Sequence, residues 1–129
     1  MDAFDADMVI LASKGDPRGS VLNNAVAGRV DNHTPVGIGS VVLLTETLAL
    51  GSSTPHSLRL REILSALALV PVDANIARVA AALRATYGLK TPDALHLATA
   101  ITAGADRFVT GNHRDFTTAI KEIPVVFPS

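Results

Sequence analysis

The chain has 129 residues, the length of a single compact domain, with 48% hydrophobic and 18% charged residues, so it is ordered and able to bury a core. Eleven Lys and Arg against twelve Asp and Glu leave a formal charge of −1, which excludes a basic nucleic-acid coat and a polybasic membrane binder. Cysteine is absent, which excludes disulfide scaffolds, thiolate metal sites and cysteine nucleophiles.

The apolar runs fall short of the roughly 20 residues of a membrane span, and the N-terminal residues lack a signal-peptide pattern. A soluble, cytoplasmic domain is the expectation. With no Trp, one Tyr and four Phe, an aromatic platform for single-stranded bases is not expected.

Taken in chain order, residues 3–9 predict a first strand passing into a short helix through Ala12. Asp16 and Pro17 stand at N-cap and N1 of a helix that runs to about Gly28. Residues 36–40 are β-like but glycine-rich, and predict a short strand. Residues 41–50 fit a helix carrying Glu46, and residues 51–55 are the most linker-like stretch. A helix over residues 58–67 and a buried strand over 69–72 follow. Asp73 caps a long helix whose apolar stripe includes Ile76, Val79, Ala80 and Leu83, ending at Gly88. Thr91-Pro92-Asp93 opens another helix, closed by Gly104. Residues 107–110 and 124–127 predict the last strands. Strands separated by helices imply a mostly parallel sheet of four to five strands covered on both faces, a three-layer α/β/α domain spanning residues 1–129.

In such sheets functional groups gather beyond the carboxyl ends of the strands. Four acids are placed to do so: Asp5 in the first strand, Glu46 in the helix after the second, Asp93 in the first turn of its helix, and Asp115 after the strand at 107–110. Carboxylates converging on one cleft repel one another unless a cation neutralises them. Oxygen-only ligation suits a hard ion such as Mg²⁺ or Mn²⁺, which lowers the pKa of bound water and stabilises charge on phosphoryl oxygen.

Each acid also has a plainer reading. Asp93 would complement a helix dipole, for about 0.3–1 kcal/mol. Glu46 would be solvated, and Asp115 would cap a turn. Asp5 resists such a reading, because Asp is depleted in strands. Asp16, Asp73 and Asp106 are assigned to caps and turns. The four histidines show no metal-ligand spacing. His96, three residues after Asp93, reads as a packing or supporting residue rather than a ligand.

Phe4-Asp5-Ala6-Asp7-Met8-Val9-Ile10 resembles the opening motif of PIN-domain nucleases, especially the VapC toxins of toxin–antitoxin pairs. Thr91-Pro92-Asp93-Ala94-Leu95-His96-Leu97-Ala98-Thr99-Ala100 is similar to their third acidic motif and is the most specific match. Asp106-Arg107-Phe108-Val109-Thr110-Gly111-Asn112-His113-Arg114-Asp115-Phe116 resembles the fourth, and Leu43-Leu44-Thr45-Glu46 stands where the second belongs. The resemblance spans essentially the whole chain. It implies a PIN-like fold and an Mg²⁺- or Mn²⁺-dependent endoribonuclease in which metal-activated water attacks the phosphodiester.

By the same resemblance Asp5, Glu46, Asp93 and Asp115 would hold the metal. Thr110 and Asn112 would support it, with Asp7 a neighbour of the site, and His113 and Arg114 would meet RNA. A homodimer silenced by a VapB-like antitoxin is the implied assembly, and a mean hydropathy of +0.34 independently points to apolar interface surface. The chain departs from the family pattern at Ala6, where a small hydroxyl residue is usual, and at Gly111, where a polar one is.

Two other enzyme classes share an early acidic pair. Asp5-Ala6-Asp7 matches the DxD opening of haloacid-dehalogenase-type phosphatases, but no catalytic Lys and late acid pair accompany it. A response-regulator receiver would use Asp73 and a late Lys, for which Lys121 stands too near the end. Both leave Glu46 and Asp93 unexplained. The non-enzymatic alternative is a catalytically inactive PIN-like protein that acts by binding a partner or RNA.

Overall fold

A computed structural model describes residues 1–49 and 56–128. The linker-like stretch expected at residues 51–55 lies outside them. The described elements are β1 (Ala3–Phe4), α1 (Ala6–Ser13), α2 (Ser20–Ala27), β2 (Gly37–Ser40), α3 (Val42–Leu48), α4 (Ser57–Ser65), β3 (Leu67–Val70), α5 (Ala74–Tyr87), α6 (Thr91–Thr102), β4 (Phe108–Val109) and β5 (Val125–Val126). The five strands form one sheet in the order β3-β2-β1-β4-β5, and every neighbouring pair is parallel.

The sheet buries both faces, and its pleat divides the core in two. On one side Ala3, Ile38 and Phe108 pack with Ile76 and Leu83 of α5 and Leu97 of α6. On the other, Phe4 and Val109 pack with Met8 and Val9 of α1, Leu22 of α2 and Ile63 of α4. Successive strand residues point to opposite faces, so the alternation Ala3/Phe4 and Phe108/Val109 assigns each side chain to its layer. This is the expected three-layer arrangement. Helix α3 touches both α1 and α6 and so bridges the layers.

Helix α4 ends at Ser65 rather than 67 and strands β4 and β5 are each shorter by a residue at either end; three further differences have a local reason. Strand β1 stops at Phe4, because Asp5 turns its carboxylate onto the Met8 amide (3.0 Å) and caps α1. The apolar run Met8–Ala12 is therefore helical. Met8, Val9, Leu11 and Ala12 of α1 are all buried, and a helix buried almost all round lacks the one-sided period that would mark it as helix. Strand β3 covers Leu67–Val70 rather than 69–72. It pairs with β2 over its full length, from Gly37↔Leu67 to Ser40↔Val70, and Pro71 has no N–H to continue the ladder. The helix expected from Asp16 opens as a single 3₁₀ turn, Pro17–Gly19, capped by Asp16, before α2 begins.

The glycines of β2 reflect close packing. A Cβ at Gly37 would lie 2.6 Å from Phe4 Cε2, and one at Gly39 would lie 2.5 Å from Leu43 Cδ1. As anticipated, Asp73 caps α5, accepting from the Ile76 amide at 2.8 Å, and Gly88 closes that helix at φ 69°. No described helix is long and apolar enough to cross a membrane.

Candidate active site

The strand order places a topological switch between β1 and β4: from β1 the chain runs outward through β2 and β3, then returns to the other side as β4 and β5. Ligands in open parallel sheets bind at such a point, outside the carboxyl ends of the strands. Asp5 follows β1 and Thr110 follows β4, and they meet there. Thr110 Oγ1 donates to Asp5 Oδ2 at 2.6 Å and accepts from the Asn112 amide at 3.0 Å.

Asp5 is 3% exposed. Burial pushes its carboxyl from 3.8 up to about 6 against the opposing bonds from Thr110 and Met8, and the neighbouring Asp7 charge pushes the same way. Asp7, in the first turn of α1, lies against Gly111. A Cβ there would fall 2.5 Å from Asp7 Oδ2, so a side chain at 111 would displace that carboxylate.

The second half of the site comes from α6 and the loop after β4. Thr91-Pro92-Asp93 starts α6 with Pro in its first turn, which sets Asp93 at the helix N-terminus. Asp93 is half-buried and is raised to about 6, by burial first, then by the charge of Asp115 and a hydrogen bond shared with it, then by the charge of Glu46. Asp115 is held below the ordinary carboxylate range, mainly by the Asn112 amide, which donates to its Oδ2 at 2.8 Å, and further by Lys90. The two neighbouring carboxyls are thus pushed apart, and Asp93 is the one that keeps its proton to higher pH.

Glu46 projects from α3 and meets His96 of α6, with Oε1 and Nε2 2.5 Å apart. The His96 side chain is 1% exposed, and its Nδ1 is buried without a hydrogen-bond partner among the described residues. The tautomer with its proton on Nε2 therefore leaves no buried N–H unpaired. His96 also stands close enough to Asp5 and Asp93 to act on both electrostatically.

The structure thus brings Asp5, Glu46, Asp93 and Asp115 into one neighbourhood with Thr110, Asn112 and Asp7. Asp5 is the cap of α1 rather than a strand residue. His113 and Arg114 lie exposed on the adjoining loop, where His113 stacks on Phe127 with ring centroids 4.0 Å apart. No sequence motif points to the bond between His96 and Glu46 or to the action of Lys90 on Asp115. The spacing of three between Asp93 and His96 places both on one face of α6, but nothing local joins His96 to Glu46, fifty positions away.

Among the described residues, no three His, Asp or Glu side chains are already gathered to hold an ion. Asp5 is tied to Thr110, Glu46 to His96 and Asp115 to Asn112. The donor set still fits a hard divalent cation. It is all oxygen, and two of its carboxyls are held near 6 by burial and by the charge of neighbouring acids, the penalty a cation relieves.

A parallel sheet with acids at its switch point defines an α/β/α domain with an acidic cleft. The PIN domain family model matches residues 6–121, and the chain belongs to that family. The resemblance read from the acidic motifs is thereby borne out. Among solved structures the chain is similar to a toxin–antitoxin complex from Klebsiella pneumoniae, at 27% identity and a TM-score of 0.79, covering 100% of this chain and 98% of that one. It shares its fold with VapBC2 from Rickettsia felis, solved bound to a DNA fragment from its promoter, at 18% identity and a TM-score of 0.68, covering 97% and 96%. No curated protein matches it in sequence.

Proposed function

We propose that this chain is a divalent-metal-dependent endoribonuclease and the toxin of a VapC-type toxin–antitoxin pair. The observation that carries the reading is Asp5. A carboxylate 3% exposed, raised to about 6 by burial and by the neighbouring Asp7 charge, destabilises the fold unless a cation uses it. Family membership and the full-length likeness to a toxin–antitoxin complex support the class.

Asp5, Glu46, Asp93 and Asp115 would hold Mg²⁺ or Mn²⁺. The bound cation supplies water of lowered pKa and positive charge for the scissile phosphate. The rest is the work of the chain. Thr110 and the Met8 amide fix both oxygens of Asp5, so that carboxylate is oriented before substrate arrives. Asn112 fixes Asp115 from the same loop. Asp93, raised to about 6, ionises as pH climbs past that value and then adds its negative charge to that of Asp115. Asp7 adds negative charge from above Gly111, while exposed His113 and Arg114 are placed to meet RNA phosphate.

The reaction class is hydrolysis of an RNA phosphodiester in the cytoplasm. The assembly proposed is a homodimer held by a VapB-like antitoxin, for which exposed Val30, Leu48 and Leu58 supply apolar surface. Incubating purified protein with RNA and Mg²⁺ or Mn²⁺ tests the reading. Cleavage should stop on chelation and in Asp5→Asn and Asp93→Asn. Absence of cleavage by the native chain, or its survival in both variants, overturns it.

A further inference from the structure

We propose that His96 is a positioning residue for Glu46: it tethers Glu46 Oε1 so that the carboxylate is presented to the cation, and it does so at the expense of fold stability. The inference rests on the metal-dependent reading above and adds a residue to it.

Glu46 stands in mid-helix with its side chain 34% exposed, where a carboxylate ordinarily ranges through solvent on three rotatable bonds. His96 removes that freedom. Its ring is locked at 1% exposure among the packed residues of α6 and reaches across fifty positions of sequence to the Glu46 oxygen. Held through Oε1, the carboxylate keeps Oε2 as a donor for a cation. The same ring neighbours Asp5 and Asp93, so the tether sits at the centre of the acidic cluster.

The second observation separates this role from packing. Nδ1 is buried with no partner among the described residues. An unpaired polar atom in the core is destabilising, and an apolar side chain of similar size would avoid it. A histidine kept for packing alone would be a poor choice here. One kept for the hydrogen bond from Nε2 must tolerate the orphaned nitrogen.

Two variants and a partner substitution test this. His96→Leu keeps bulk and removes the donor, His96→Gln returns an amide N–H near the place of Nε2, and Glu46→Gln removes the charge being tethered. Mn²⁺ binding to metal-free protein is read by electron paramagnetic resonance, and stability by thermal melting. In the native background His96→Leu should weaken Mn²⁺ binding about 10- to 100-fold, as loss of a ligand-orienting hydrogen bond typically does. Its melting temperature should match or exceed that of the native chain. His96→Gln should recover most of the affinity.

In the Glu46→Gln background, His96→Leu should change Mn²⁺ affinity less than about twofold, because the two residues act as one unit. Unchanged Mn²⁺ affinity in His96→Leu overturns the proposal. So does an equal loss in the Glu46→Gln background, or a melting temperature that falls together with affinity in both His96 variants. A native chain that binds no Mn²⁺ overturns the nuclease reading itself, and this inference with it.

Discussion

Replacing Asp5 by Asn removes a charge and little else. Asn caps helices as well as Asp does, so the bond from the Met8 amide survives, and a polar group still faces Thr110 Oγ1. What disappears is a buried negative charge whose carboxyl is raised from 3.8 to about 6. The sign follows from proton linkage. From about pH 4 to about pH 6 the folded chain retains a proton at Asp5 that the unfolded chain has released. Stability is therefore greatest below the unfolded value and falls as pH rises through the folded one.

A rise of about two units, at about 1.4 kcal/mol each, makes the ionised carboxylate a burden of about 3 kcal/mol at neutral pH. For a chain of this size that corresponds to about 10 °C in Tm. Asp5→Asn should accordingly melt higher than the native protein in chelator-containing buffer near neutral pH, by up to that amount. The advantage should vanish towards about pH 4, while RNA cleavage is lost throughout. Asp5→Ala should fall below Asp5→Asn, since it forfeits the cap, worth about 1 kcal/mol, and leaves the Thr110 hydroxyl without its acceptor. Thermal melts followed by circular dichroism across this range decide the matter. If Asp5→Asn melts lower than native at neutral pH, or by an offset that does not vary with pH, burial does not hold this carboxyl up and the reasoning fails.

Mg²⁺ or Mn²⁺ should raise the Tm of the native chain near neutral pH and much less near about pH 5, where Asp5 and Asp93 hold protons that compete with the ion. Equal shifts at both pH values would sink the assignment of these carboxyls as ligands. Thr110→Val removes the donor to Asp5 and the acceptor of the Asn112 amide. It should destabilise by about 1–3 kcal/mol and move the acid limb of the cleavage profile to higher pH, with Thr110→Ser restoring both; an unmoved limb counts against the bond. Of two glycine replacements, Gly19→Ala should lower the urea midpoint more than Gly111→Ala. Its Cβ would meet the Ala12 backbone nitrogen at 2.4 Å, whereas at 111 it meets the movable Asp7 side chain. The reverse order would show that the α1 backbone yields more readily than Asp7.

What could be read from the sequence is what local chemistry dictates. Pro92 and Asp93 announce the start of α6, and Asp73 and Gly88 bracket α5, because caps and prolines act within a turn or two. The alternation of strands and helices was enough to place acids at the carboxyl edge of a parallel sheet. Asp5 was legible as an anomaly but not as a cap, since an apolar run buried all round fits a strand and a helix equally well. The end of β3 was displaced by two residues because its pairing with β2, rather than its own hydropathy, sets the register. The Glu46–His96 bond had no local signature. It exists because α3 crosses from one layer to the other and touches α6. The push of Asp115 on the Asp93 carboxyl is likewise a product of packing, which brings together acids that sit far apart in the chain.

The net charge of −1 reads differently once the acids are located. Four of the twelve belong to the cluster, which leaves eight against eleven basic residues over the rest of the surface. Several of those eight are already engaged. Asp16 pairs with Arg18, Asp2 with Arg107 and Glu62 with Arg59, while Asp73 caps α5. The body is therefore mildly basic and the cleft strongly acidic. A phosphodiester approaching an ion-free cleft meets repulsion where the chemistry must occur, while one approaching a loaded cleft meets a neutralised site inside a weakly attractive surround. With so small a basic excess, few counterions are released on binding, so RNA affinity should fall only gently with added monovalent salt. Divalent ion should act on that affinity far more strongly than monovalent salt does. For the ribonuclease proposed above, that combination would suit brief encounters with many RNA molecules rather than retention on one.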